Sequence, residues 1–301
     1  MPKTKLPQII GKIVDPYDSE DGINHIEGPN LPSRDRVVEV TTSFLDVLFP
    51  GYYEKQELSK GDITYHIWEK IAFIYHLLSR EIFKSLKSAN TEQEDEKKLS
   101  DQSIEITFTI LNKIPEIREK LRSDVRAAHG GDPAAKGLDE IIISYPGIEA
   151  VAVYRVAHEL HLLKVPLIPR IMTEYAHSKT GIDIHPGATV GEKFFIDHGT
   201  GVVIGETTEI GNNVRIYQGV TLGALSIKMD ASGKIERGKK RHPTIRDNVI
   251  IYSGATILGG KTVIGEHSVV GGSIWLTESV PPHTILINKA PEPTQIKNSK
   301  G

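Results

Sequence analysis

From residue 181 onward, aliphatic residues recur every six positions, and this spacing constrains the fold more than any other feature of the chain. It matches neither the period of an α-helix, about 3.6 residues, nor that of a simple strand, about two. A six-residue period is typical of β-helices, in which each strand and turn forms one side of a coil. Three such sides make a triangular prism with roughly 18 residues in each coil. The positions with this spacing are Ile184, Val190, Ile196, Ile204, Ile210, Ile216, Leu222, Ile245, Ile251, Ile257, Ile264 and Val270.

The period slips at three places, and two of them predict loops. Ile196 and Ile204 are eight positions apart, so two extra residues bulge out around "DHGTG". Residues 223–244 form a 22-residue excursion, which we expect to fold as a small hairpin that turns at "DASG" (230–233). A single extra residue falls at Gly259-Gly260. Loops that leave a stacked prism usually build its binding face, so we expect the chemistry at these interruptions.

Before residue 180 the apolar residues recur at three and four positions, which predicts helices over 62–89, 101–128, 147–164 and 166–178. Asp62 is the expected N-cap of the first, and a kink or break is expected before Pro115 in the second. The predicted fold class is α+β, with an all-α helical domain followed by a β-helix. The predicted domains are a helical domain (1–180), a catalytic β-helix (181–290) and a short C-terminal tail (291–301).

Composition excludes several classes of function. The chain has 301 residues and a formal net charge of −3, so nothing electrostatic favours nucleic acid or an anionic membrane as a partner. It contains no cysteine, which excludes disulfides, zinc–thiolate sites and thiol nucleophiles. The sequence contains no run of about 20 apolar residues, so no membrane span is predicted. The N-terminus lacks the apolar core of a secretory signal. A soluble, cytoplasmic protein is expected.

His198 is the first candidate for catalysis, because imidazole can accept a proton near neutral pH. Asp197 precedes it, Asp183 lies 15 residues earlier, and either carboxylate could orient the ring. The alternative is a surface histidine that pairs with its neighbour.

Arg241 and His242 end the excursion. The guanidinium offers a planar fork for a carboxylate, and the alternative is a basic loop that covers the prism edge.

Several sequence blocks resemble serine O-acetyltransferases, a branch of the hexapeptide acyltransferases. The blocks are "TGIDIHPGATVG", "FFIDHGTGVVIGETTEIGNNVRIYQGVTLG", "RHPTIRDNVIIYSGATILGG" and "SVPPH". The resemblance covers residues 181–284 and extends more weakly through "GGDPAAKG" and "YRVAH". It implies a left-handed parallel β-helix that transfers the acetyl group of acetyl-CoA to L-serine, the first step of cysteine biosynthesis from serine.

The same resemblance implies roles for individual residues. His198 would be the general base and Asp183 its partner, and no metal is expected. A zwitterionic amino acid needs a carboxylate for its ammonium group and a guanidinium for its carboxylate. The chain has no cysteine and no other marked nucleophile, so we expect direct transfer without an acyl-enzyme. The residues implied for serine are Asp132, Asp197, Arg241 and His242, and those implied for acetyl-CoA are Gly223, Ala224, Ser253, Gly254 and Gly271.

The resemblance also bears on assembly. Hexapeptide transferases are typically trimers with sites between subunits, so a homotrimer is expected, and some members of the family double to hexamers. Many bacterial relatives carry a terminal Ile that docks in O-acetylserine sulfhydrylase. This sequence ends in "PEPTQIKNSKG", so that complex is not expected.

Three alternatives remain open from the sequence. The first is another acyltransferase on the same prism that acts on an amino sugar or a xenobiotic. It would keep a base like His198 but would not need residues that bind the ammonium and carboxylate groups of an amino acid. A zinc enzyme like the γ-carbonic anhydrases would need three converging histidines. The C-terminal half offers His185, His198, His242, His267 and His283, without a close ligand spacing, and His185 is interpreted as fixing a turn. Finally, the prism could be a non-catalytic scaffold.

Overall fold

The computed structural model describes residues 5–18, 23–53, 58–90, 95–226, 229, 232–233, 235–236 and 238–289. The predicted tail 291–301 and part of the expected "DASG" turn lie outside these residues. In the described part of the chain, helices come first and short parallel strands follow. The helices are α1 (Lys5–Val14), a 3₁₀ helix (Asp15–Asp18), α2 (Arg34–Leu48), α3 (Ile63–Ala89), α4 (Glu96–Gly131), α5 (Leu138–Ser144), α6 (Pro146–Leu162) and α7 (Ile168–Thr180).

Of two local expectations in the helical region, one is confirmed for the position of the N-cap and the other is wrong. Asp62 stands at the N-cap of α3, but its carboxylate accepts a hydrogen bond from the Ser59 hydroxyl instead of a backbone N–H of the helix. The predicted break before Pro115 does not occur, because α4 continues through the proline. Ile110, Ile114 and Ile117 are buried on either side of it, and this packing outweighs the loss of one helical hydrogen bond.

The chain after α7 folds into a three-sided parallel β-helix. Face I contains β1, β4, β7, β10 and β13, face II contains β2, β5, β8 and β11, and face III contains β3, β6, β9, β12 and β14. The strands are β1 (Asp183–Ile184), β2 (Thr189–Val190), β3 (Phe195–Asp197), β4 (Val203–Ile204), β5 (Glu209–Ile210), β6 (Arg215–Tyr217), β7 (Thr221–Gly223), β8 (Thr244–Ile245), β9 (Ile250–Ile251), β10 (Thr256–Leu258), β11 (Val263–Ile264), β12 (Val269–Val270), β13 (Trp275–Leu276) and β14 (Ile285–Leu286).

The strand register explains the six-residue period. Ile184 pairs with Ile204 and Ile204 with Leu222 on face I, while Ile196 pairs with Ile216 on face III. All twelve periodic aliphatics are buried in the prism. The predicted fold class, a helical region followed by a parallel β-helix of hexapeptide repeats, is confirmed. The chain turns from face I to face II at one edge, here named the I/II edge, and from face III to face I at another, the III/I edge.

Helix α6 attaches the helical region to the first coil through the "YRVAH" block. The Tyr154 hydroxyl donates to the carbonyl of Ala188 at 2.6 Å. Arg155 donates to both carboxylate oxygens of Asp124 on α4, at 2.8 and 3.0 Å, and to the carbonyl of Gly191. His158 bonds the carbonyl of Pro186 at 2.8 Å. One continuous cluster of buried apolar side chains spans the helices and the prism, so the division into domains at residue 180 stays a prediction.

Within the described ranges, no helix combines the length and the apolar character needed to cross a bilayer.

Candidate active site

His198 lies at the III/I edge, in the corner that the interrupted period predicted. Six positions separate Asp197 from Val203, whereas four separate their partners Tyr217 and Thr221 in the next coil. The corner therefore holds two extra residues. His198 has a φ of +58°, a left-handed conformation that non-glycine residues adopt infrequently, and its side chain is 70 % exposed. The insertion thus projects the imidazole out of a rigid wall.

The nearest carboxylate to His198 is that of Asp197, whose Oδ1 lies 3.8 Å from Nδ1. This separation is an ionic contact and is too long for a hydrogen bond. The Asp197 side chain is only 12 % exposed, and among the described residues it has no hydrogen-bond donor. A carboxylate that is mostly shielded from water and lies beside an exposed imidazole is suited to receive a cationic group from a ligand.

Asp183 lies on face I, where its Oδ1 is 3.6 Å from Nη1 of Arg170. The same oxygen is buried and has no hydrogen-bond partner among the described residues. Its contacts therefore lead to α7 within the chain, and its role as partner of His198 stays a prediction.

Asp132 reaches the III/I edge from the end of α4. Arg215 on β6 donates to the carbonyl of Gly131 at 2.9 Å and lies over the Phe195 ring, which brings the end of the helix to the wall. A Cβ at position 131 would displace this guanidinium, so glycine allows the close approach of the two residues. The carboxylate of Asp132 accepts hydrogen bonds from the Tyr145 hydroxyl at 2.5 Å and the Ala134 N–H at 2.8 Å.

These two hydrogen bonds, with that from Tyr145 the larger cause, lower the pKa of Asp132. The positive charges of His198 and Arg215 lower it further. Asp132 is therefore ionised at neutral pH, in the vicinity of His198. Together with Asp197, it makes the III/I edge a place where a small cation can bind next to an imidazole.

Arg241 and His242 lie at the I/II edge, where the excursion returns to the prism. Arg241 forms an ion pair with Glu206. Burial alone would raise the pKa of Glu206, but the hydrogen bond and the positive charge of Arg241 outweigh it, so the pKa is lowered. The Thr207 hydroxyl lies 2.9 Å from the backbone N–H of Arg241 and 3.1 Å from that of His242. The guanidinium and the imidazole are thus both held by residues 206 and 207.

The protonation of His242 follows from its contacts. Its Nδ1 accepts a hydrogen bond from the backbone N–H of Thr207 at 3.1 Å, so the proton of the neutral ring is on Nε2. Burial and then the Arg241 charge lower the pKa of His242 to about 4. The ring lies against the backbone of Gly205, where a Cβ would overlap it. His242 is therefore a neutral hydrogen-bond donor, in the same cluster as a fixed guanidinium.

A cavity of about 920 Å³ lies between the I/II edge and the excursion. Its lining includes His185, Glu206 and Arg241, together with Lys261 and Thr277 from later coils. The expected hairpin agrees with an antiparallel bridge between Met229 and Ile235. Of the positions implied for acetyl-CoA, Gly223 ends strand β7 of face I and Ala224 follows it at this edge, whereas Ser253, Gly254 and Gly271 follow face III at the other.

The residues implied for serine therefore form two groups at different edges of one chain. Asp132, Asp197 and His198 lie at the III/I edge, and Arg241 and His242 at the I/II edge. Residues 202–205 run between the edges, which at about 3.3 Å per extended residue separates them by roughly 13 Å. The ammonium and carboxylate of an amino acid share one carbon, so one chain by itself cannot place both groups around one serine.

Histidines do not converge on one point within the described part of the chain. The rings of His267 and His283 stack with their centroids 5.0 Å apart, and the rings of His185 and His161 lie edge to face at 6.1 Å. Nδ1 of His185 accepts a hydrogen bond from the Gly187 N–H, in agreement with its interpretation as a residue that fixes a turn. The candidate metal group among the described residues is Glu174, His177 and Asp183. Its two carboxylates already contact the Arg170 guanidinium, and His177 contacts Glu174. Three-histidine zinc ligation is therefore not formed within one chain.

Sequence reasoning missed four residues that organise the site, namely Tyr145, Glu206, Thr207 and Arg215. Glu206 and Thr207 are the last two residues of the "VIGET" block (203–207), so a signal for them was present in the motif. Tyr145 and Arg215 act through contacts with residues 13 and 84 positions away in sequence, which no local pattern reveals.

Stacked hexapeptide coils with a loop-borne imidazole and paired carboxylates define the class of hexapeptide-repeat acyltransferases. No protein-family model matches the chain. The plasmid-encoded serine acetyltransferase of Synechococcus elongatus is 47 % identical over 255 residues, which cover 83 % of this chain and 80 % of that protein. The chain belongs to the serine acetyltransferase family, and the prediction of an acyltransferase enzyme is confirmed.

Other relatives agree. The serine acetyltransferase of Bacillus subtilis is 46 % identical over 156 residues, 52 % of this chain and 68 % of that protein. The crystal structure of Entamoeba histolytica serine acetyltransferase 1 in complex with L-cysteine has a TM-score of 0.71 at 34 % identity, and covers 93 % of this chain and 97 % of that one. Soybean serine acetyltransferase complexed with serine has a TM-score of 0.54 at 28 % identity, and covers 85 % of this chain and 98 % of that one.

Proposed function

We propose that this protein transfers the acetyl group of acetyl-CoA to the hydroxyl of L-serine, giving O-acetyl-L-serine and CoA, the first step of cysteine biosynthesis from serine. The observation that carries the proposal is the state of Asp197. It is a mostly buried carboxylate without a hydrogen-bond donor in the described chain, and it lies beside an exposed imidazole. An alkylammonium group bound there by Asp197 and Asp132 holds its neighbouring hydroxyl near His198.

His198 then acts as general base by direct transfer. One ring nitrogen accepts the proton of the serine hydroxyl as the oxygen attacks the acetyl carbonyl, and the imidazolium returns that proton to the departing CoA thiolate. Asp183 is proposed as the partner that orients the ring in the assembled enzyme. The neutral His242 Nε2–H and the Arg241 guanidinium supply donors for the carboxylate of serine.

We infer that the active enzyme is a homotrimer in which the III/I edge of one subunit faces the I/II edge of the next. This arrangement brings Asp132, Asp197 and His198 of one copy to Arg241 and His242 of another. It also brings the glycine-rich positions Gly223 and Ala224 opposite Ser253, Gly254 and Gly271, which forms a narrow groove for acetyl-CoA. Doubling to a hexamer and a cytoplasmic location remain predictions.

The test is a free-thiol assay with acetyl-CoA and L-serine, with homoserine and glucosamine as competing acceptors. A serine acetyltransferase releases CoA with serine at a kcat/KM well above that for the other two. Preference for glucosamine would favour an acyltransferase that acts on an amino sugar, and no thiol release with any acceptor would favour a non-catalytic scaffold.

A further inference from the structure

We propose that Tyr145 is a positioning residue for the ammonium group of serine and acts by holding the carboxylate of Asp132. The inference rests on the proposed function, because it takes Asp132 as a ligand of that ammonium group. Nothing in the sequence blocks that resemble the family includes Tyr145.

The backbone of Tyr145 is held where α5 meets α6. Its N–H donates to the carbonyl of Ile141 and its carbonyl accepts from the N–H of Ile148, both at 3.1 Å. Pro146 follows at the first position of α6, where its fixed φ suits a helix start. Gly147 packs directly on the carbonyl of Ile196 in β3, one residue before Asp197. The phenol is therefore anchored to the same wall that carries His198.

The phenol and the Ala134 N–H bind different oxygens of Asp132. Tyr145 donates to Oδ2 at 2.5 Å and Ala134 donates to Oδ1 at 2.8 Å. A carboxylate has about four lone-pair sites, so each oxygen can still accept one hydrogen bond from an ammonium group. The two donors thus fix the rotamer of the carboxylate and leave its outward lone pairs open.

The charges agree with this direction of donation. The hydrogen bond to Asp132 raises the pKa of Tyr145 to about 12, so the phenol stays a donor throughout the working pH range. The charge of Asp197 contributes to the same shift in the same direction, as the smallest of its causes.

The chain offers a matched control. Tyr52 also donates to a carboxylate, Oδ1 of Asp139, at 2.7 Å, but this pair joins the end of α2 to the start of α5. Tyr145→Phe and Tyr52→Phe each remove one phenol oxygen and one charge-assisted hydrogen bond. The two variants therefore differ in location and not in chemistry.

The experiment measures steady-state kinetics of wild type, Y145F, Y52F, D132N and the double variant D132N/Y145F. Losing a hydrogen bond to a charged group is expected to raise the KM for serine in Y145F by roughly 5- to 30-fold. The kcat and the KM for acetyl-CoA stay near wild type, and Y52F changes neither KM. The double variant has the KM for serine of D132N alone, because Tyr145 acts through Asp132.

A second ligand separates positioning from general disruption. 3-Hydroxypropionate has the hydroxyl and carboxylate of serine without the ammonium group, so its inhibition constant is unchanged in Y145F. The inference is overturned if the KM for serine is unchanged in Y145F, or if Y145F weakens the binding of serine and of 3-hydroxypropionate equally. It is also overturned if the rise in the KM for serine in the double variant equals the product of the rises in the two single variants. If wild type releases no CoA with serine, the proposed function fails and this inference with it. If wild type and D132N behave as expected but Y145F does not, only the role of Tyr145 fails.

Discussion

The backbone N–H of Thr207 donates to Nδ1 of His242 at 3.1 Å, and the Thr207 hydroxyl lies 2.9 Å from the same atom. Thr207, which follows strand β4 of face I, thus sets the tautomer of His242, 35 positions later in the sequence. Since protonation of Nδ1 would break the contact with the backbone N–H, the arrangement ties the charge state of His242 to the integrity of the I/II edge.

The first prediction concerns stability and pH. The pKa of His242 is lowered from 6.5 to about 4 in the folded protein, so the unfolded chain binds the extra proton first as the pH falls. The contribution of His242 is complete above about pH 6.5 and is lost toward about pH 4, at up to about 1.4 kcal/mol per pH unit. Urea unfolding across this range checks it.

His242→Asn is the control for this prediction. Its Oδ1 can accept the Thr207 N–H in place of Nδ1, and it does not titrate, so the pH dependence of its unfolding should be shallower. An equally steep loss of stability in the variant would mean that another group is responsible.

The second prediction concerns Thr207 itself. Its hydroxyl contacts the backbone N–H groups of Arg241 and His242 and the ring of His242. Thr207→Val removes these contacts and keeps the volume, so we expect the KM for serine to rise about fivefold or more, as a lost hydrogen bond implies. Thr207→Ser keeps the hydroxyl and should remain close to wild type. Equal effects in the two variants would contradict the role of the hydroxyl.

The third prediction concerns the base. His198→Ala should lower kcat by about 10²- to 10⁴-fold, which is the usual contribution of a general base. His198→Asn should do the same while it keeps the left-handed backbone conformation, which asparagine tolerates well. Because the side chain is 70 % exposed, neither change should lower the melting temperature by much. A kcat near that of wild type in either variant rules out His198 as the base.

The fourth prediction concerns sharing of the site between subunits. H198A and R241A are each expected to be inactive as pure proteins. If the two groups meet across an interface, randomly mixed trimers recover about a quarter of the wild-type sites, because a site then needs one intact edge from each type of subunit. Refolding or co-expression of equal amounts, followed by the thiol assay, measures this recovery. No recovery in confirmed mixed trimers would place both groups in one subunit.

The fifth prediction concerns the attachment of the helices to the prism. Asp124 is fully buried and receives both hydrogen bonds of the Arg155 fork. Arg155→Met leaves this carboxylate buried without its counter-charge, which should cost about 3–5 kcal/mol of unfolding free energy. Arg122→Met, which removes an exposed ion pair with Glu119, should cost less than about 1 kcal/mol. Similar losses in both variants would mean that burial of the Asp124–Arg155 pair does not matter.

Much of the fold was predictable from local patterns. The six-residue period of buried aliphatics identified the prism, and the surplus of two residues around His198 located the projecting corner. Patterns were weaker in the helical region. Pro115 suggested a break that the packing of Ile110, Ile114 and Ile117 overrides, and the carboxylate of Asp62 binds Ser59 instead of capping α3. At Pro115 local propensity loses to packing with distant helices, whereas at Asp62 a local hydrogen bond from Ser59 competes with the capping of the helix.

The sequence by itself determined the architecture of the prism and the identity of the imidazole on its inserted corner, because a repeated strand-and-turn is specified by neighbours within a few residues. Only the tertiary structure decided that Asp132 and Tyr145 join that corner from the ends of helices, and that Arg241 lies at a different edge. Side chains that come from distant elements are positioned by long-range packing and hydrogen bonds, and such contacts leave no period in the chain.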